Sequence, residues 1–302
     1  MKRWLRGGFF AVALVFFAGT FVNASWLAPT PVGNPALIAH AAADPEIGSC
    51  ETAPGAARYP VLPDNSLRAV TDVRQYGAAM IAVRIATDGS VAPARCRDSY
   101  GANPTLSQIA QVAKPKSLLF VFSADDPAAA DRLAEGLEAI GRDPVASRDA
   151  FYAVNETGPV ARMREIFPRA WVFSAESAAR CLADYRAQAW SGLTPSSCQN
   201  GTMMIPVDDQ SRLWGWPDRL LARIKDAGGH VVMVAPGAVD GDPKGLDLPE
   251  QLGEIPASFN GYIWTDDLWN LGPALFPRVD NRSRMEQDAG EAAVNARRAA
   301  RQ

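Results

Sequence analysis

Histidine is scarce in this 302-residue chain: there are two, His40 and His230. Chemistry that needs a cluster of imidazoles, such as a polyhistidine zinc centre, is thereby excluded. An excess of positive charge is also lacking. Thirty Lys and Arg face 33 Asp and Glu, for a formal net charge of -3. Sequence-independent nucleic-acid binding rests on a basic face, so no nucleic-acid partner is expected. There are only four cysteines, Cys50, Cys96, Cys181 and Cys198. Their spacings match no usual zinc site, and no His lies close to any of them. The chain has no internal repeat, and beyond its first two dozen residues no apolar run is long enough to span a membrane. The composition is otherwise that of a folded domain. At 48% hydrophobic and 21% charged, the chain is too apolar for disorder throughout.

The amino terminus carries the one long apolar run. Lys2, Arg3 and Arg6 precede an uncharged stretch over residues 7–22, and Val22-Asn23-Ala24 then precedes Ser25. This is the pattern of a signal peptide over residues 1–24, cleaved after Ala24, or of an uncleaved membrane anchor. Both readings place the body of the protein outside the cytoplasm, exported to a periplasmic or extracellular space. A membrane partner is expected only through this segment, and only if it is retained. An even number of cysteines in an exported chain suggests two disulfides. Four cysteines allow three pairings, and the nearest-neighbour scheme, Cys50–Cys96 with Cys181–Cys198, closes the shorter loops.

After a Pro/Gly-rich linker over residues 25–35, apolar strand-like segments alternate with helix-like ones. The strands are expected at 36–40, 80–85, 118–122, 151–154, 171–173, 203–207, 230–235 and 262–265. Helices are expected between them, among them 63–76, 105–113, 126–140, 176–188 and 217–227. Eight strands alternating with helices over residues 36–278 favour an α/β single domain, a (β/α)8 TIM barrel, over a doubly wound sheet. The polar tail over 279–302 reads as disordered or as a solvated helix.

Several short motifs occur in a recognisable order. They are Leu37-Ile38-Ala39-His40, Pro63-Asp64-Asn65-Ser66-Leu67, Gly77-Ala78, Asp88-Gly89 and Leu213-Trp214-Gly215-Trp216-Pro217. The last is Gly261-Tyr262-Ile263-Trp264-Thr265-Asp266. Over residues 37–273 the chain resembles the glycerophosphodiester phosphodiesterases, and in its cysteine context a secreted bacterial branch of that family. The resemblance implies a barrel and phosphoric diester hydrolysis in lipid metabolism. It also implies a divalent cation held by carboxylates, with two His residues as acid and base. His40 matches the first family His, and Asp64 stands where the family has Glu. The other positions depart from the pattern. Ala41 replaces the Arg that follows the first His. The strand that carries two acids in the family reads Met80-Ile81-Ala82-Val83-Arg84-Ile85, and the region of the second His reads Ala92-Pro93-Ala94-Arg95-Cys96. No cofactor is therefore expected, and Ca2+ or Mg2+ only if the site is rebuilt from other residues, since a hard cation needs several oxygen ligands.

The remaining candidates each carry two readings. His40 is an acid or base at the carboxy-terminal end of the first strand, the catalytic end of such barrels, or a vestige. Asp64 is a leftover ligand or a helix cap. Strand alternation turns Arg84 into the barrel, where it binds a phosphate or carboxylate, or pairs with Asp64 or Asp266. Arg95 follows the same logic on a loop. Trp216 and Trp264, like Trp214, wall a pocket or simply pack. His230 belongs to the opposite end of the barrel. Three functions fit these residues: a pseudoenzyme that keeps an anionic or polyol ligand, a divergent phosphodiesterase on glycerophosphodiesters or lipid head groups, or a structural or partner-binding protein.

Overall fold

The computed structural model describes residues 14, 17–40, 67–93, 103–237, 241 and 243–301. Eight strands carry it: β1 (Ala36–Ala39), β2 (Ala78–Ile85), β3 (Ser117–Phe122), β4 (Ala150–Ala153), β5 (Trp171–Ser174), β6 (Thr202–Pro206), β7 (His230–Val234) and β8 (Tyr262–Thr265). All pair in parallel, in the order β5-β4-β3-β2-β1-β8-β7-β6. Parallel strands packed on both faces read as near-continuous apolar runs. Leu118-Leu119-Phe120-Val121-Phe122 in β3 and Val231-Val232-Met233-Val234 in β7 are such runs, and each is buried.

Helices fill the connections: α1 (Leu67–Gln75), α2 (Leu106–Ala113), α3 (Pro127–Ala139), α4 (Pro144–Ser147), α5 (Pro159–Ile166), α6 (Ala175–Gln188), α7 (Asp218–Asp226), α8 (Pro249–Gly253), α9 (Leu268–Leu275) and α10 (Arg284–Ala300). Their starts follow from local chemistry. Thr105 and Gln108 form a reciprocal cap on α2, and Ser283 and Glu286 form one on α10. Asp126 caps α3 ahead of Pro127. The result is the nearly closed (β/α)8 barrel expected from the alternation. One expectation gives way. The tail is neither disordered nor solvated all round, because α10 docks on the barrel with Gly290, Val294 and Arg297 buried. Asp64, Arg95 and the Cys50–Cys96 pair lie outside the described residues.

The barrel has a seam. β5 and β6 stand at the two ends of the strand order and share no ladder among the described residues. Side-chain links cross the gap. The Trp171 indole N–H donates to Thr202 Oγ1 at 2.8 Å, joining the starts of β5 and β6. The Cys181–Cys198 disulfide ties α6, which follows β5, to the 3-10 turn Ser196–Cys198, which precedes β6. With the cysteines 17 positions apart in sequence, the cross-link is expected to contribute roughly 3 kcal/mol. Replacing both by Ser should lower the urea midpoint accordingly. Amide exchange should accelerate most in β5 and β6, and a uniform acceleration would refute the seam.

His230 opens β7, at the end of the barrel away from His40. Its ring lies 4.2 Å from that of Trp171, which in turn lies 4.7 Å from that of Tyr262. Burial among these rings lowers its pKa to about 4. The unfolded chain, with an ordinary imidazole near 6.5, binds the proton first as pH falls. Stability contributed by the neutral ring is therefore complete above about pH 6.5 and is lost as pH drops towards 4. The loss is expected to reach about 3 kcal/mol. His230→Gln should flatten this part of the pH–stability profile.

Candidate functional site

β1 ends at Ala39 and β8 at Thr265, and the two strands are register partners at these positions. The next residue on each is polar, so the pairing delivers His40 and Asp266 side by side at the carboxy-terminal rim. The His40 backbone N–H continues the ladder to the Thr265 carbonyl at 3.0 Å. His40 Nδ1 lies 3.0 Å from Asp266 Oδ1. The imidazole is 18% exposed and the carboxylate 7%, so the pair is sheltered but reachable.

Asp266 is held from its other side. Its Oδ2 accepts the Gly245 backbone N–H at 2.6 Å. Only glycine permits this approach, since a Cβ at position 245 would overlap the Asp266 backbone nitrogen. With both carboxylate oxygens engaged, Asp266 fixes the imidazole orientation. A carboxylate only accepts, so the pairing favours the tautomer with its proton on Nδ1, and Nε2 is the ring nitrogen turned away from Asp266. This is the arrangement of an oriented acid or base.

Two further acids stand beside this pair, and α10 with the Arg301 that follows it neutralises both. Asp267 caps α9 by accepting the Asn270 N–H at 3.2 Å, and its Oδ2 also accepts the Asn270 amide at 2.6 Å. Arg297 of α10 forms a buried ion pair with the same carboxylate. Asp247 accepts from Arg301 at 2.8 and 2.6 Å. Burial pushes its carboxyl above the ordinary range, with the Arg301 guanidinium pulling against it. The tail is thus part of the support of the site, a role the sequence reading missed.

The structure brings some of the expected residues together and separates others. Trp264 meets His40, with ring centroids 4.5 Å apart. It is fully buried, however, and also packs against Tyr152 and Phe173. It is therefore the floor beneath His40 and not a ligand-facing wall. Trp216 instead packs against Phe259 at 5.9 Å. Arg84 is partly exposed near the end of β2. Ala39 is in register with Ile81, so Arg84 stands two residues beyond the level of His40, about 7 Å farther along the strand direction. Its Nη2 donates to the Pro93 carbonyl at 3.3 Å. Of the two acids weighed as its partner, Asp266 is engaged by His40 and Gly245.

Among the described residues no three His, Cys, Asp or Glu side chains are placed so that they could hold a metal ion together. Both oxygens of Asp266 have partners, and β2 brings a guanidinium to the rim. A cavity of about 400 Å³ lies near the seam and is lined in part by Glu156, Arg164 and Arg180. Its charges are already matched, Arg164 with Glu156 and Arg180 with Glu176. Burial pushes the Glu156 carboxyl up, but bonds from Arg164 and Ser174 outweigh it and hold it below the ordinary range.

No protein-family model and no curated protein matches this chain. Solved structures do. The chain is similar to the glycerophosphoryl diester phosphodiesterase domain of an uncharacterized protein from Mycobacterium tuberculosis, with a TM-score of 0.50 at 13% identity. The match covers 81% of this chain and 100% of that one. It is also similar to a glycerophosphodiester phosphodiesterase from Parabacteroides distasonis, with a TM-score of 0.46 at 15% identity, covering 82% and 99%. At such identities the likeness establishes the fold alone.

Proposed function

We propose, starting from a barrel with the glycerophosphodiester phosphodiesterase fold, that this chain is exported and binds a small anionic or polyol ligand at the His40 rim. Its metal-dependent hydrolysis is attenuated or lost. The observation that carries this reading is the charge of β2, which brings Arg84 to the rim and no carboxylate. A guanidinium there supplies positive charge and paired donors to a phosphate or carboxylate. It cannot hold a metal ion.

A second reading, a divergent phosphodiesterase, has one observation of its own: the oriented His40–Asp266 pair. One experiment separates the two. Purified protein is assayed on glycerophosphodiesters, with and without Ca2+ or Mg2+, beside His40→Ala. The binding reading expects equal background rates for both proteins, whatever the metal. Sulfate should then raise the thermal midpoint of the unaltered protein and not that of Arg84→Ala. Metal-independent turnover that falls roughly 100- to 10,000-fold in His40→Ala would instead establish general acid–base catalysis.

A further inference from the structure

Several large apolar side chains left in water lie on two segments that touch each other. Phe17, Phe21 and Trp26 are exposed on the amino-terminal segment, Trp26 to 77%. Trp190 and Leu193, just beyond α6, are 50% and 71% exposed. The two groups are joined by direct contacts. Asn23 Nδ2 donates to the Gly19 and Trp190 carbonyls at 2.7 and 2.9 Å. Gly192 has φ +86°, and a Cβ there would overlap a methyl of Val22.

The same segment is fastened to α7. Arg223 Nη1 donates to Asn23 Oδ1 at 2.6 Å, and its Nη2 donates to the Val22 carbonyl at 3.2 Å. Ser25 Oγ accepts the Asp218 N–H at the start of α7, at 3.0 Å. Asn23 and Ala24 are consequently buried. The Ala24–Ser25 bond, where the sequence suggests cleavage, thus lies within a stretch that the barrel holds on both sides.

We infer that the amino-terminal segment is retained and that the barrel rests against the interfacial layer of a phospholipid bilayer through this patch. Phe17 and Phe21 belong to the stretch of sequence 7–22, which carries no charge. Lys2, Arg3 and Arg6 lie on the far side of that run, as basic residues do on the cytoplasmic side of an anchor. Tryptophan suits the boundary, since its ring is apolar while its N–H seeks a polar partner. An apolar patch fed by such a run needs a cover, and lipid supplies one without a protein partner. This inference is independent of whether the His40 site hydrolyses anything.

The full chain, with Trp4→Phe to remove the one tryptophan ahead of the apolar run, is expressed in bacteria and its intact mass measured. It is then placed in phosphatidylcholine–phosphatidylglycerol vesicles whose acyl chains carry bromine near the head group. The expected result is a chain that keeps residues 1–24, fractionates with membranes, and is quenched by the bromine. Trp26→Phe with Trp190→Phe should remove most of that quenching. Both positions are exposed, so the thermal midpoint should hold and report that the variant is folded. A chain beginning at Ser25 in any fraction overturns the inference. So does a retained chain whose quenching ignores the two substitutions, or one that forms a water-soluble dimer through the patch.

Discussion

Arg297→Ala is expected to destabilise the protein by roughly 3–5 kcal/mol, measured as a lowered urea midpoint, because it leaves a buried carboxylate without its counter-charge. The Arg297 and Asp267 side chains are each 4% exposed, so water cannot take over from the guanidinium. Asp267 would keep the Asn270 amide and backbone N–H, which solvate the charge without neutralising it. The effect should reach the site as well. α10 also carries Arg298 and leads to Arg301, whose partners are Glu250 and Asp247. Loosening the helix would free Asp247 next to the His40–Asp266 pair. Adding Asp267→Asn to Arg297→Met removes both charges together and should recover much of the loss. A single variant within about 1 kcal/mol of the parent would show that the pair is solvated.

Trp264→Ala is the second large effect, expected to cost roughly 3–5 kcal/mol through the cavity it opens in the barrel core. The ring packs against Tyr152, Phe173 and His40, stiff aromatic neighbours that relax poorly into a void. Trp264→Phe should be much milder. The Trp264 indole N–H is buried and has no hydrogen-bond partner among the described residues, a defect worth about 1–3 kcal/mol. Phenylalanine loses volume but removes that defect, and the two changes offset one another. The alanine variant should also tilt the imidazole it supports. A change in any ligand affinity at the rim is thus expected for Ala and not for Phe.

Where the apolar run was long, the strand was plain in the sequence: β3 and β7 stand within a residue of where their residues place them. β4 is only Ala150–Ala153 and shifts by one residue from the expected 151–154, because Asp149 just before it belongs to a buried bond with the Leu118 N–H. α9 was missed. Its interior holds Gly272 and Pro273, which argue against a helix until Tyr76 is seen crossing close to Gly272. The site was half legible. His40 was found from its strand-end motif. Asp266 was weighed only as a partner of Arg84, since its real partner is 226 residues away. An acid directly after the eighth strand becomes informative once β1 and β8 are known to be neighbours. The role of α10 was invisible for a similar reason: an Arg-rich, Ala-rich helix looks solvated until its buried acid is in view.

The pairing of β1 with β8 has a consequence for biosynthesis. The strand carrying His40 emerges from the ribosome long before the strand that will flank it on its far side. Through most of translation β1 has at best β2 for company, and its other edge offers unpaired backbone groups to any passing strand. A nascent chain built this way depends on being shielded until its last quarter arrives, and premature stops ahead of codon 262 should yield aggregates and not partial barrels.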